Sequence, residues 1–147
     1  MINHIKLLIL CTGLLCFLSC RKKTEVNFEK VFQFSLEHTI NTRLVPNVYA
    51  VKTLKIIKPK GLALAKSFSV NGKKCEILPE NTSISVLLKN YDVFDPIPVV
   101  QVSSYTVNND KISIGMMFKA TGHFITLELK QEDNHQFKVI SFQDVTL

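Results

Sequence analysis

The chain lacks the short motifs by which several large enzyme classes are identified. It has no Gly-x-Ser-x-Gly segment, no phosphate-binding glycine loop and no Cys-x-x-Cys pair. These absences argue against a serine-hydrolase elbow, a nucleotide cradle and a dithiol redox site. The chain also has no internal repeat and only five prolines among its 147 residues. We therefore expect one domain with one core and no cofactor.

The longest apolar run near the amino terminus is too short to cross a bilayer. A helical span needs about 20 apolar residues, whereas Leu7 to Ser19 has thirteen and is followed by three cations, Arg21 to Lys23. A basic residue, here Lys6, before a short apolar stretch that ends in a small residue is typical of a removable export signal. We expect residues 1–19 to be a signal peptide.

The end of this stretch, Phe17-Leu18-Ser19-Cys20, resembles the lipobox of bacterial lipoproteins. In that family the cysteine thiol receives a diacylglyceryl group, the peptide is cut directly before the cysteine, and the new amine is acylated. The resemblance implies cleavage between Ser19 and Cys20 and attachment of palmitate or a similar acyl chain at Cys20. Residues 20–24 would then be a lipidated tether and residues 25–147 a single globular domain. Phe17 departs from the leucine that is usual at its position.

The residue after the cysteine bears on location. Arg21 stands where some lipoproteins of the inner membrane carry an aspartate. The resemblance therefore implies an outer-membrane protein that faces the periplasm, or a plasma-membrane protein in a Gram-positive host. Two or more acyl chains would hold it firmly. The alternative is a cleaved, soluble secretory protein in which Cys20 is an ordinary thiol.

Cysteine is scarce in the domain, where Cys75 is the only one after Cys20. A secreted domain with one thiol has no internal disulfide and depends on its core for stability. We expect Cys75 to be a small, partly buried apolar residue rather than a reactive thiol. A bridge between Cys20 and Cys75 becomes an alternative if Cys20 carries no lipid.

Acidic residues are missing from the middle of the chain. None occurs between Glu37 and Glu76, a stretch that contains eight basic residues. Nucleic-acid binding would need more arginine and more stacking aromatics, so we do not expect a nucleic-acid partner. Attraction to an anionic lipid surface is physically reasonable. A solvated face without a specific partner is the simpler interpretation.

The last 50 residues show the pattern of four consecutive strands. Turn signals occur at residues 108–110, 121–122 and 131–135, and they separate segments rich in apolar residues. We expect Ala120 to lie opposite His123, and Lys130 opposite Gln136, which also places Glu128 opposite Lys138. Alternation at period two then gives the sheet one apolar face. Its expected members are Val100, Val102, Ile112, Ile114, Met116, Phe118, Ile125, Leu127, Leu129, Phe137 and Val139.

The reverse face is expected to be mixed. Most of it is polar, but Met117, Phe124, Ile140 and Phe142 are expected to meet beside Gly115, which has no side chain. This apolar end is either covered by another part of the chain or lines a pocket, and we expect it to be covered.

Residues 26–44 fit two patterns. Phe28, Phe32, Leu36 and Ile40 form an i, i+4 row with Asn27 or Thr24 as the cap, yet the same segment also scores as a strand. We choose the helix, because the apolar sheet face needs a cover. The expected fold class is α+β, with this helix packed on a curved antiparallel sheet that ends in a four-stranded meander. An all-β fold is the alternative.

The segments between helix and meander carry weaker signals. We expect residues 48–57 and 62–70 to be extended, and residues 68–77 to form a hairpin on an Asn-Gly turn. Residues 83–88 fit a short strand or a helical turn, and residues 91–98 a loop. A helix followed by a twisted sheet resembles the cystatin-like and nuclear-transport-factor-2-like cone folds by element order alone, and that resemblance implies no particular function.

No catalytic residues can be assigned with these patterns. The best enzyme hypothesis pairs Asp92 or Asp95 with His123 as acid and base. His123 and His135 are expected to lie too far apart to share a metal ion. We expect a domain that binds an envelope protein or a small apolar ligand without turnover. The alternatives are a cone-fold enzyme with a pocket near Phe124 and Phe142, and an envelope immunity or inhibitor protein.

Overall fold

The computed structural model describes residues 26–87, 89, 92, 94–132 and 136–147. The described part is an α+β domain with three helices and eight strands. The helices are α1 (Phe28–Asn41), α2 (Val48–Val51) and α3 (Ile84–Leu87). The strands are β1 (Lys55–Ile57), β2 (Ser69–Val70), β3 (Lys73–Lys74), β4 (Glu76–Leu78), β5 (Val99–Asn108), β6 (Lys111–Phe118), β7 (His123–Gln131) and β8 (Phe137–Thr146).

Six of the strands form one sheet in the order β4-β1-β5-β6-β7-β8, and β2 and β3 form a separate hairpin. β1 runs parallel to both β4 and β5, whereas β5 to β8 are antiparallel neighbours. The sheet is therefore mixed, and the expectation of a purely antiparallel sheet is wrong. Parallel strands are recognised by a continuous apolar run, and β1 and β4, with three residues each, are too short to show one.

α1 confirms the helical alternative for the first segment, and the all-β alternative is wrong. The Asn27 side chain accepts a hydrogen bond from the Lys30 N–H and caps the helix, which satisfies one of the free N–H groups of the first turn. The i, i+4 row from Phe28 to Ile40 is buried. Ring contacts join α1 to the sheet, since Phe28 meets Tyr105 edge-on at 5.0 Å between centroids.

The expected apolar face of the meander is confirmed. The residues expected on β6 and β7 are at most 1% exposed, and Val102, Phe137 and Val139 pack partly buried against the same core. Every buried residue of the described structure is Phe28 or a later residue. Residues 20–147 therefore contain the whole described core.

The register expected at the β6–β7 turn is wrong by two residues. Phe118 lies opposite His123, and Met116 opposite Ile125. Residues 119–122 form the connection, because the Thr121 N–H bonds to the Phe118 carbonyl in a tight turn and Gly122 is left-handed. A shift of two keeps each side chain on its face, which is why the buried set is still correct.

The β7–β8 register is also two residues from the expectation, and it contains a bulge. Leu129 lies opposite Val139, but Glu128 lies opposite Ser141, so Ile140 is the additional residue of β8. The Ser141 hydroxyl donates to Glu128 at 2.9 Å, and Glu128 does not face Lys138 as expected. A bulge reverses the alternation beyond it.

The region before the meander is only partly as expected. The Asn71-Gly72 hairpin is confirmed, with φ of 49° and 73° at the two turn residues, as a two-residue hairpin turn requires. Val48–Val51 is a short helix rather than extended chain, because burial of Tyr49 against Phe118 overrides the strand preference of its valines. Within residues 62–70 only Ser69–Val70 is a strand.

At the β1 end the sheet is buried on its second face as well. Ile56 and Val100 belong to the core shared with α1. Their neighbours Ile57 and Val99 point to the opposite face and are also buried, at 2% and 0% exposure. The connection from β4 to β5 has to cross β1, because β1 lies between these two strands in the sheet.

Candidate ligand-binding cleft

The structure does not bear on the expected lipid site, since Ser19 and Cys20 lie outside the described residues. Among the described residues, no helix combines the length and the hydropathy that a membrane crossing needs. His135, one of the two histidines considered as metal ligands, also lies outside the described residues.

The residues of the enzyme hypothesis, His123 and Asp92 or Asp95, make hydrogen bonds with other groups of the described structure and not with each other. His123 Nδ1 lies 3.1 Å from Asp144 Oδ1. Asp95 accepts a hydrogen bond from Lys52, and Asp92 accepts one from the Phe94 N–H at 2.8 Å, as in an Asx turn. No hydrogen bond or ion pair between described residues joins His123 to Asp92 or Asp95. Asp144 is therefore the acidic partner that the structure gives to His123.

Phe124 and Phe142 do not line one pocket. Phe124 lies opposite Val145 on the reverse face, whereas Phe142 lies opposite Leu127 on the core face. The bulge at Ile140 separates them, because it reverses the alternation of β8. The Phe124 ring does lie over Gly115, 3.2 Å from where a Cβ would stand. The expectation of a covered end is wrong at its margin, where Val145 and Ile140 are 49% and 50% exposed.

The C-terminal end of α1 has an unusual backbone conformation. The Leu44 N–H bonds to the Thr39 carbonyl and the Arg43 N–H to the Ile40 carbonyl, both at 3.1 Å. These two bonds define a Schellman motif, whose left-handed position is normally filled by glycine. Here that position is Arg43, with a φ of 58°. A left-handed residue with a Cβ is less stable than glycine by roughly 1 kcal/mol.

An open cleft of about 500 Å³ lies beside this helix end. Its buried wall is apolar, with Ile40 and Val45 at 7% and 6% exposure, while Arg43 and Asn47 are exposed. The full lining is Ile40, Arg43, Val45, Pro46, Asn47 and Ala50. The volume lies within the range of small-molecule sites, and the cleft is open to solvent.

The cationic group at this cleft has no acidic partner among the described residues. Two other cations of the acid-free stretch are neutralised by acids outside it: Lys52 pairs with Asp95 and Lys55 with Glu76 at 2.9 Å. In the described part of the chain, no ion pair or side-chain hydrogen bond involves the Arg43 guanidinium. The Asn47 side chain precedes α2 without capping it. Both side chains can therefore donate hydrogen bonds to a ligand.

A second, much smaller cavity of about 20 Å³ adjoins the cleft and shares Ile40 and Ala50 with it. Cys75 lines this cavity and is 4% exposed. Burial raises the pKa of the Cys75 thiol to about 11, and a backbone hydrogen bond involving Val70 opposes this with a smaller effect. The expectation of a buried, unreactive cysteine is confirmed for burial, and its protonated state at neutral pH disfavours nucleophilic chemistry.

Comparison with known proteins gives no family for this chain. No protein-family model, no curated protein and no solved structure matches it.

The residues of the cleft were not identified from the sequence. Pro46, two residues after Leu44, is a common signal that a helix has ended. A left-handed arginine has no such signal, since arginine is a good helix former and glycine is the residue expected there. The cleft also needs α2, which sequence propensity assigned to an extended segment.

Proposed function

We propose that this chain is a lipid-anchored lipoprotein of the bacterial cell envelope whose domain binds a small ligand or another envelope protein without turnover. The observation that carries the anchor is the sequence from Leu7 to Cys20: a short apolar run that ends in Leu18-Ser19-Cys20 and is followed by three cations. The outer membrane, periplasmic side, is the proposed location because Arg21 follows the cysteine.

The position of α1 supports this arrangement. The cap residue Asn27 is seven positions after Cys20, so the start of α1 would lie within about 25 Å of the lipid. α1 has 14 residues, a length of about 21 Å. The cleft lies at the end of α1 that is farther along the chain from the anchor.

The domain part of the proposal rests on the cleft. Its apolar wall and exposed polar rim suit reversible binding, and Arg43 keeps the less stable left-handed conformation at its edge. We further propose that the domain is a member of the cone-like folds. The supporting features are a helix across one sheet face and bulges in β5 and β8, which bend strands.

Metabolic labelling tests the anchor. Cells that express the full chain are fed labelled palmitate, and the expected result is a labelled protein in the membrane fraction. Cys20→Ala should abolish labelling and block cleavage, while Cys75→Ala should be labelled like the wild type. Equal labelling of the wild type and Cys20→Ala, or no labelling of either, would show that the anchor is wrong.

A further inference from the structure

We infer that the cleft beside α1 binds a single-chain amphiphilic carboxylate, with the carboxylate at Arg43 and the alkyl chain against the Ile40 and Val45 wall. This inference rests on the proposed binding role of the cleft and is independent of the lipid anchor. It follows from the combination of an apolar wall, one unneutralised guanidinium and a costly backbone conformation at that guanidinium.

The charge at the rim selects the sign of the ligand. The chain has no acidic residue from position 38 to position 75, so every residue of the cleft lining comes from a segment without carboxylates. The Arg43 guanidinium can form two parallel hydrogen bonds with a carboxylate. The Asn47 amide lies on the same rim and adds a neutral donor. The guanidinium itself disfavours a cationic ligand at this rim.

The apolar lining of the cleft determines what the uncharged part of the ligand should be. Ile40, Val45, Pro46 and Ala50 present carbon to the cleft, and alkyl groups placed on such a wall are removed from water. A compact inorganic anion would leave these apolar residues in contact with water. A neutral alkyl chain would leave the guanidinium unmatched. An amphiphilic carboxylate satisfies both parts of the cleft.

Arg43 occupies a backbone position at which glycine is the more stable residue. Glycine would satisfy the Schellman motif at lower cost, and the Arg43 side chain makes no ion pair or hydrogen bond with any described residue. The substitution Arg43→Gly should therefore stabilise the fold while removing the charged group. Because stability should rise while affinity falls, weaker binding by this variant cannot be attributed to unfolding.

Octanoate is the probe, and octanol is its uncharged counterpart of equal chain length. Mature protein with Cys20→Ser, which carries no acyl chain that could compete, is titrated with each compound. Backbone amide NMR shifts of residues 40–50 are followed. We expect saturable shifts with octanoate that fit one site, and binding at least tenfold weaker with octanol, because a charge-assisted hydrogen bond is lost.

Three variants complete the test. Arg43→Gly should bind octanoate about tenfold more weakly while its Tm rises by roughly 3 °C. Arg43→Lys should keep part of the affinity, since it keeps the charge but not the paired donors. Lys60→Gln, an exposed residue outside the lining, removes the same charge from the acid-free stretch and should bind as the wild type.

Two results would overturn the inference. One is equal binding of octanoate and octanol without an effect of Arg43→Gly, which would indicate partition into apolar surface. The other is the absence of saturable shifts at residues 40–50. Neither result would contradict the proposed lipid anchor. Likewise, a native protein that takes up no palmitate would contradict the anchor but not the proposed ligand of the cleft.

Discussion

The meander, β5 to β8, and the parallel end of the sheet, β1 and β4, differ in the chain distance between their paired strands. Neighbouring strands of the meander are separated by two to five residues, whereas 18 residues separate β1 from β4 and 41 separate β1 from β5. Parallel neighbours need such long crossovers. The meander is therefore specified by local pattern, and the parallel end by contacts between distant segments.

The two regions also differ in the burial of the second sheet face. At the parallel end both faces are buried, as Ile56 and Ile57 show with 0% and 2% exposure. In the meander the second face is open at β8, where Val145 is 49% exposed. A strand buried on both faces cannot show the apolar–polar alternation from which strands are most easily predicted.

The largest expected effect comes from equal truncations in the two regions. Ile114→Ala in the meander and Ile57→Ala at the parallel end should each reduce the free energy of unfolding by about 2–5 kcal/mol, because both side chains are fully buried. Ile140→Ala is the matched control, because Ile140 is 50% exposed. It should reduce the free energy of unfolding by at most about 1 kcal/mol. Urea denaturation measures all three. A small effect at Ile57 would mean that the parallel end has no second covered face.

A substitution at Gly115 tests the second face of the meander. A Cβ there would stand 2.5 Å from the Ser104 hydroxyl oxygen and 3.2 Å from the Phe124 ring. We expect Gly115→Ala to cost about 1–3 kcal/mol through overpacking. In a Ser104→Ala background the cost should fall, since the nearest atom is gone. A double-mutant cycle by denaturation gives the coupling, and zero coupling would contradict the close approach.

The pH dependence of stability should report on Cys75 at the parallel end. In the unfolded chain the thiol ionises near its ordinary pKa of 9.0, whereas in the fold its pKa is about 11. Between these values the unfolded state releases a proton that the folded state keeps, so the free energy of unfolding falls as the pH rises from 9 to 11. Thermal unfolding should show a steeper decline in this range for the wild type than for Cys75→Ala. Parallel curves would place the thiol in water.

The smallest effect on the free energy of unfolding is expected from removal of the hydroxyl group of either of two tyrosines. The buried Tyr105 hydroxyl has no hydrogen-bond partner in the described structure, whereas the Tyr49 hydroxyl lies 3.5 Å from the Thr121 hydroxyl. Tyr105→Phe should therefore leave stability unchanged or raise it by up to about 1 kcal/mol, because a buried unpaired hydroxyl is unfavourable. Tyr49→Phe should lower it by about 1 kcal/mol. Calorimetry that gave equal losses would show that Tyr105 has a partner.

The comparison also shows how much of the fold is predictable. The four meander strands and their buried face follow from residue spacing, since hydrophobic burial acts at fixed periods. The spacing of residues 26–44 fitted both a helix and a strand, and the need to cover the apolar sheet face decided for the helix. The two register errors came from turns. In the β6–β7 turn, the hydrogen bond from the Thr121 N–H to the Phe118 carbonyl decides how many residues leave the strands. The parallel pairing of β1 depends on long crossovers for which three-residue strands give no pattern.

The candidate cleft was less predictable than the fold. The acid-free stretch indicated positive charge, but not which of its cations are paired; that depends on Asp95 and Glu76, which reach Lys52 and Lys55 from other segments. The bulge at Ile140 separated Phe124 from Phe142, although strict alternation placed them together. Sites built from loop geometry depend on tertiary contacts that local spacing does not contain.

The most direct test of the account is the intact mass of the protein purified from the membranes of a bacterial host. The account predicts residues 20–147 with a diacylglyceryl group on Cys20, with or without a further acyl chain on its amine. The unlipidated mass of residues 20–147, or that of the whole uncleaved chain, would contradict it.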